Sequence, residues 1–179
     1  MNGITGWMLG GLLAAAAVAA VWFDLRERRI PNALTVGALL AALLVRVPEG
    51  LGAVGSGLLG AAIGFILFLP LFLVGGLGGG DVKLMTAFGA FLGPERLFPA
   101  LLVTALVGGV LALLEVVRRR AFVRTLRNIG LLPRTVAGRV LRRGAPETGP
   151  HFLTLASPEA ITVPYGVAIS AGALFAWFI

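Results

Sequence analysis

Long apolar runs, broken by short clusters of Pro, Gly and charged residues, dominate the hydrophobic pattern of the chain. Reading the runs against that punctuation predicts helices over Ile4 to Phe23, Pro31 to Val47, Leu51 to Val74, Val82 to Leu92, Leu97 to Val117 and Val163 to Ile179. Several of them approach the roughly 20 residues that span the hydrocarbon core of a bilayer. The expected fold is therefore all-α, a polytopic membrane protein of about six helices forming a single domain over 1–179. One connection is long, from Arg118 to Thr162, and it carries nine arginines. It is expected to be a basic loop outside the membrane.

Composition agrees with this pattern. Hydrophobic residues make up 58% of the 179 and charged residues only 13%, too greasy a balance for a soluble domain of this size. The 26 glycines fit the same class, because small residues let membrane helices approach closely. With no cysteine, disulfides, thiolate metal sites and a cysteine nucleophile are excluded. His151 is the one histidine, read as a solvated loop residue, so metal and Ser-His chemistry lack their usual groups and no cofactor is expected. The first run has no Lys or Arg before it, unlike a secretory signal, and is read as a retained helix.

The net charge of +7 does not point to nucleic acid, because the basic residues flank greasy segments instead of covering a soluble face. If the chain alternates sides, thirteen Lys and Arg gather on one side, while only Arg46 and Arg96 fall on the other. The positive-inside rule then makes the crowded side cytoplasmic and puts both termini outside. Within the long loop, Phe122, Val123, Leu126 and Ile129 interleave with Arg124 and Arg127 at helical spacing. That spacing fits either a basic amphipathic helix lying on an anionic leaflet or a solvated loop that holds topology.

The acids carry the chemistry. Of eight, Glu49, Glu95, Glu147 and Glu159 fall in loops, where a charge needs no explanation. The two aspartates, Asp24 and Asp81, sit where apolar helices meet the same side. From Asp81 to Leu92 a helix rises only about 18 Å, against a core of roughly 30 Å, so Asp81 is expected below the headgroups. An ionisable group there is costly, and by default it marks a functional site. The glycine run Gly75 to Gly80 before it suits a cavity wall and close backbone approach. Two carboxylates sharing a site split their titrations, giving an acid and a base able to activate water against a peptide carbonyl. The residues alone also allow helix-end aspartates paired with Arg26, Arg28 or Lys83. A proton- or cation-relaying transporter and a structural subunit of a secretion system are open as well.

Pattern adds a resemblance. Gly78-Gly79-Gly80-Asp81-Val82-Lys83-Leu84 resembles the GxGDxK signature of the type IV prepilin peptidases, and Asp24 followed by Ile30-Pro31-Asn32 resembles that family's other element. Val163-Pro164-Tyr165-Gly166 is similar to its closing segment, so the resemblance runs from about Phe23 through Gly166. Presenilin-type proteases share GxGD but place their other aspartate in a Tyr-Asp pair, whereas Phe23 precedes Asp24 here. The resemblance implies a membrane aspartic endopeptidase that trims prepilin or pseudopilin precursors at the cytoplasmic membrane face. Asp24 and Asp81 would be catalytic, with Gly78, Gly80 and Lys83 shaping the site and no metal. Long members carry an N-terminal domain with zinc-binding cysteines, associated with methyl transfer. This sequence has neither, so the resemblance is to the short form, including tight-adherence and preflagellin peptidases. Expected partners are the precursors, each with a basic leader ahead of a hydrophobic helix, and membrane lipids on the basic loop, but no nucleic acid.

Overall fold

A computed structural model of the chain describes residues 3–73, 76–118 and 164–179. All regular structure among them is helical. In chain order it comprises α1 (Gly3–Glu27), α2 (Asn32–Arg46), a short 3-10 turn (Val47–Glu49), α3 (Leu51–Leu73), α4 (Gly79–Arg118) and α5 (Tyr165–Phe178). Four segments are long and apolar enough to cross a membrane, namely Gly3–Glu27, Asn32–Glu49, Leu51–Leu73 and Gly79–Glu115; Tyr165–Phe178 is apolar but shorter. Large apolar side chains point outward along them, Trp7, Leu51, Ile66 and Phe98 among others. Such a surface is stable only where lipid replaces water. The basic loop of the sequence reading, with the amphipathic stretch Phe122 to Ile129, lies outside the described residues apart from Arg118.

The sequence suggested separate helices over Val82 to Leu92 and Leu97 to Val117; the structure joins them as α4, interrupted at Gly93 (φ 71°, ψ 177°). Pro94 disfavours a helical residue before it, and glycine takes a positive φ without steric cost. A break in a helix strands the carbonyls of the preceding turn. Arg46 receives two of them: its Nε donates to Ala90 O at 3.0 Å and its Nη2 to Phe91 O at 2.8 Å, while Nη1 reaches Ala53 O at 3.3 Å. Arg46 is only 4% exposed. The sequence reading only counted it among the basic residues of the sparse side; it is a buried clamp on the break, with the charge of Glu49 acting on it.

Small residues set the helix crossings. The part of α4 before Gly93 runs against α3 in the opposite direction. A Cβ at Gly57 would lie 3.2 Å from Ala90 O, and one at Gly64 would lie 2.8 Å from Met85 O, while Gly60 and Gly89 touch backbone to backbone. No larger side chain fits at that approach, which is how membrane helices gain van der Waals contact. The part after Gly93 packs on α5, where Gly172 meets Ala100 and Thr104, and a Cβ at Gly108 would lie 3.0 Å from the Tyr165 ring. The buried core between helices includes Leu9, Leu13, Leu84, Phe88, Phe91 and Ile169.

These contacts give the bundle two distinct ends. At one, Gly10 packs on the Trp177 ring, and Arg96 stacks on the same ring at 5.1 Å while donating to Trp177 O at 3.2 Å. Arg46 and the Gly93 break lie toward this end. The opposite end gathers the last turn of α1 and the first turns of α2, α4 and α5.

Candidate active site

The end that collects these helix termini contains Asp24, Asp81 and Lys83, together with Asn32 and Gly166. The helix α1 runs to Glu27, past the predicted end at Phe23, so Asp24 stands inside its last turn and not after it. Its backbone carbonyl accepts from Arg28 N at 3.1 Å, and Arg28 then turns left-handed (φ 53°), which ends the helix. The Asp24 side chain is 7% exposed.

What receives that carboxylate is the start of α5. Gly166 N donates to Asp24 Oδ2 at 2.8 Å, and the neighbouring Val167 N donates to Pro164 O at 3.3 Å. The residue before α5, Pro164, provides no side-chain cap, so Asp24 caps α5 from another helix. Free amides and the helix dipole make such a terminus a natural seat for an anion. A Cβ at Gly166 would fall 2.8 Å from Asp24 Oδ2 and 3.0 Å from its Cγ, so only glycine fits there.

Asp81 is held by its own helix. It is the third residue of α4, and its Oδ2 accepts from Gly78 N at 3.0 Å, reaching back to the residue before the helix as the acid of a capping box does. Gly78 and Gly80 both lie against neighbours: a Cβ at Gly78 would be 3.2 Å from Asp81 Oδ2, and one at Gly80 would be 3.3 Å from Ile30 Cβ. The Gly80 contact seats the start of α4 on the turn before α2. Lys83 Nζ donates to Asn32 Oδ1 at 2.9 Å and ties the same two elements again. Neither Arg26 nor Lys83 forms the aspartate ion pair that the sequence allowed; Lys83 takes Asn32, and Arg26 stacks on Trp22 at 5.2 Å. Arg28 alone of the three acts electrostatically on Asp24.

The two carboxylates lie within electrostatic reach of each other, and Asp81 also acts on Tyr165, which opens α5. All five residues singled out in the sequence thus collect at one end of the bundle. Sequence reasoning missed Gly166 and Asn32 as holding partners. The only signals for them were the Pro164-Tyr165-Gly166 and Ile30-Pro31-Asn32 triplets, whose prolines the structure places just ahead of α5 and α2. Among the described residues no three His, Cys, Asp or Glu side chains converge, so that part of the chain offers no metal-ligand set. Two oriented carboxylates that feel each other's charge can act on water as base and acid.

Comparison with known proteins points the same way. Residues 11–113 match the pattern of the type IV leader peptidase family. A prepilin leader peptidase/N-methyltransferase of Xanthomonas campestris pv. campestris is 34% identical over 115 residues, 59% of this chain and 40% of that protein. Proteins of the same description are similar in Aeromonas hydrophila (33% over 117 residues, 60% and 40%) and Bacillus subtilis (32% over 132 residues, 73% and 51%). The chain thus matches about two fifths to half of the length of these curated relatives. No solved structure matches it. Asp24 and Asp81, with the glycines that seat them, all fall inside the matched residues except Gly166. On the strength of that match the chain belongs to the type IV leader peptidase family.

Proposed function

We propose that this protein is a membrane aspartic endopeptidase that removes the leader of prepilin-like or pseudopilin precursors, with Asp24 and Asp81 as its catalytic pair. The observation that carries the reading is the convergence of the two aspartates at one end of the bundle, each oriented by a backbone amide at a helix start. A water between them gives a proton to one carboxylate as its oxygen attacks the scissile carbonyl. The other, present as the protonated carboxylic acid, donates its proton to the carbonyl oxygen. When the tetrahedral intermediate collapses, the proton held by the base passes to the leaving nitrogen while the other carboxylate takes one back from a hydroxyl of the gem-diol, so both carboxyl groups return to their starting states. Lys83 and Asn32 act as positioning residues, keeping the start of α4 against the turn before α2.

The same proposal gives the chain six membrane passes, with the two parts of α4 counted separately. The aspartate end faces the cytoplasm in the inner membrane, because the arginines and the lysine of that side outnumber the other side's thirteen to two. A precursor with a hydrophobic helix beyond its cleavage point then meets the carboxylates at the membrane face.

The test is cleavage of a pilin-like precursor by the purified wild type, Asp24→Asn and Asp81→Asn in detergent, followed by mass shift and N-terminal sequencing. The proposal expects the wild type alone to cut at the leader junction. Full activity in either variant would sink the two-carboxylate mechanism, and a wild type that cuts no precursor would favour the relay or scaffold reading.

A further inference from the structure

Beside Asp24, but opening away from it, α1 and α5 leave a groove of about 660 Å³ between them. Its walls are Ala17, Val18, Val21, Trp22 and Leu25 of α1 against Val167, Ala171 and Leu174 of α5, with Ser170 at the floor and Arg26 at one end. The volume lies within the range of sites that enclose small ligands. Val18, Trp22 and Leu25 are more than half exposed, so the groove opens sideways onto the surface that faces lipid.

Length and charge decide what fits. From Ala17 to Arg26 the α1 wall rises about 14 Å, and from Val167 to Leu174 the α5 wall rises about 10 Å. A membrane-spanning helix needs the whole core of roughly 30 Å, whereas one leaflet is about half of that. The apolar lining thus matches a chain confined to a single leaflet. At the polar end stands Arg26, in the last turn of α1. Its guanidinium meets the Trp22 ring at 5.2 Å and, among the described residues, no carboxylate. Exposed Glu27, Arg28 and Arg29 follow it, so the stretch from Arg26 to Arg29 is net positive. A guanidinium stacked on a tryptophan near the end of α1, with a greasy slot behind, is complementary to an amphiphile bearing one acyl tail in the slot and an anionic phosphate at its head.

We propose that the groove between α1 and α5 binds an anionic phospholipid of the leaflet on the Arg26 side, its phosphate on Arg26 and an acyl chain along Val18, Val21 and Ala171. The lipid packs on Val167, next to the Gly166 amide that holds Asp24, and so supports the joint between α1 and α5. This site is separate from the peptidase reading, and its test needs no turnover.

Native mass spectrometry on the full chain in detergent, titrated with phosphatidylglycerol or with phosphatidylcholine of the same chains, measures it directly. The wild type should retain one phosphatidylglycerol and hold it about fivefold more tightly than phosphatidylcholine. Arg26→Gln should abolish that preference, while Arg118→Gln, outside the groove, should keep it. Ala171→Phe, which fills the slot, should weaken both lipids together. Equal retention of the two lipids by the wild type, or an unchanged preference in Arg26→Gln, would overturn the proposal. So would displacement of the lipid by an apolar helical peptide of spanning length, since the groove would then belong to a protein segment.

Discussion

At the scale of single residues, each aspartate serves two roles that different substitutions separate. As a cap, Asp24 satisfies the Gly166 amide at the start of α5, and Asp81 does the same for Gly78 N. Asparagine accepts such bonds about as well as aspartate, so Asp24→Asn and Asp81→Asn should melt within about 1 kcal/mol of the wild type. Neither can exchange a proton, and cleavage should fall by at least about 100-fold in each. Asp24→Ala removes the cap as well and should lose roughly 1 kcal/mol or more in addition, read from thermal unfolding in detergent. A purely structural aspartate predicts the reverse, full activity in Asn and damage only in Ala. Gly166→Ala probes the same joint from the other side. Its Cβ would lie 2.8 Å from Asp24 Oδ2, so the carboxylate must move. We expect a loss of about 10-fold or more in cleavage with the helices retained by circular dichroism, since misplacement by an ångström is enough to spoil proton transfer geometry. Both aspartates were legible in the sequence because a carboxylate at an apolar helix end is conspicuous. Gly166 was not, because a donor amide leaves no trace in a side-chain pattern, and only the short Pro-Tyr-Gly triplet hinted at a special start for α5.

At the scale of elements, the interruption of α4 is the feature that sequence reading caught only in part. Gly93-Pro94 announced a stop between two apolar runs, and the structure has the non-helical residue there. It gave no hint that Arg46, forty-odd residues earlier, would close the break, because an arginine at the end of a predicted helix, next to Pro48 and Glu49, reads as an ordinary helix-end charge. Its burial can be understood from what it satisfies: three carbonyls, one of α3 and two adjacent ones of the last turn before Gly93. Arg46→Met keeps most of the apolar volume and removes a desolvated charge, but it strands Ala90 O and Phe91 O in an apolar setting. Each stranded group costs about 1 to 3 kcal/mol, offset in part by the charge no longer buried. A net loss of about 2 kcal/mol is expected in detergent unfolding. Arg46→Lys, a point charge without the planar fork, should recover only part of it. If Arg46→Met unfolds like the wild type, the break holds without its clamp.

For the whole molecule, the decisive property is that the bundle has two unlike ends, and this too was partly legible. Alternating apolar runs and the excess of basic residues on one side predicted that Asp24 and Asp81 would share a level. The contacts of Gly166 with Asp24, Lys83 with Asn32 and Gly80 with Ile30 bring their helix ends together. The other end is organised by Arg46 and Arg96, each bonded to backbone carbonyls, so the two basic residues of the sparse side are engaged in structure. Orientation follows if the remaining cations obey the positive-inside rule. The absence of cysteine makes the prediction easy to check, since any introduced thiol is the sole label site. Arg29 and Pro48 are exposed and belong to opposite ends. In intact inner-membrane spheroplasts, a maleimide that cannot cross the bilayer should label Pro48→Cys and spare Arg29→Cys, while inverted vesicles should show the opposite pattern. Labelling of both positions from one side would mean that the turns before α2 and before α3 lie on the same face. The six-pass arrangement would then fail, and with it the cytoplasmic position proposed for the aspartates.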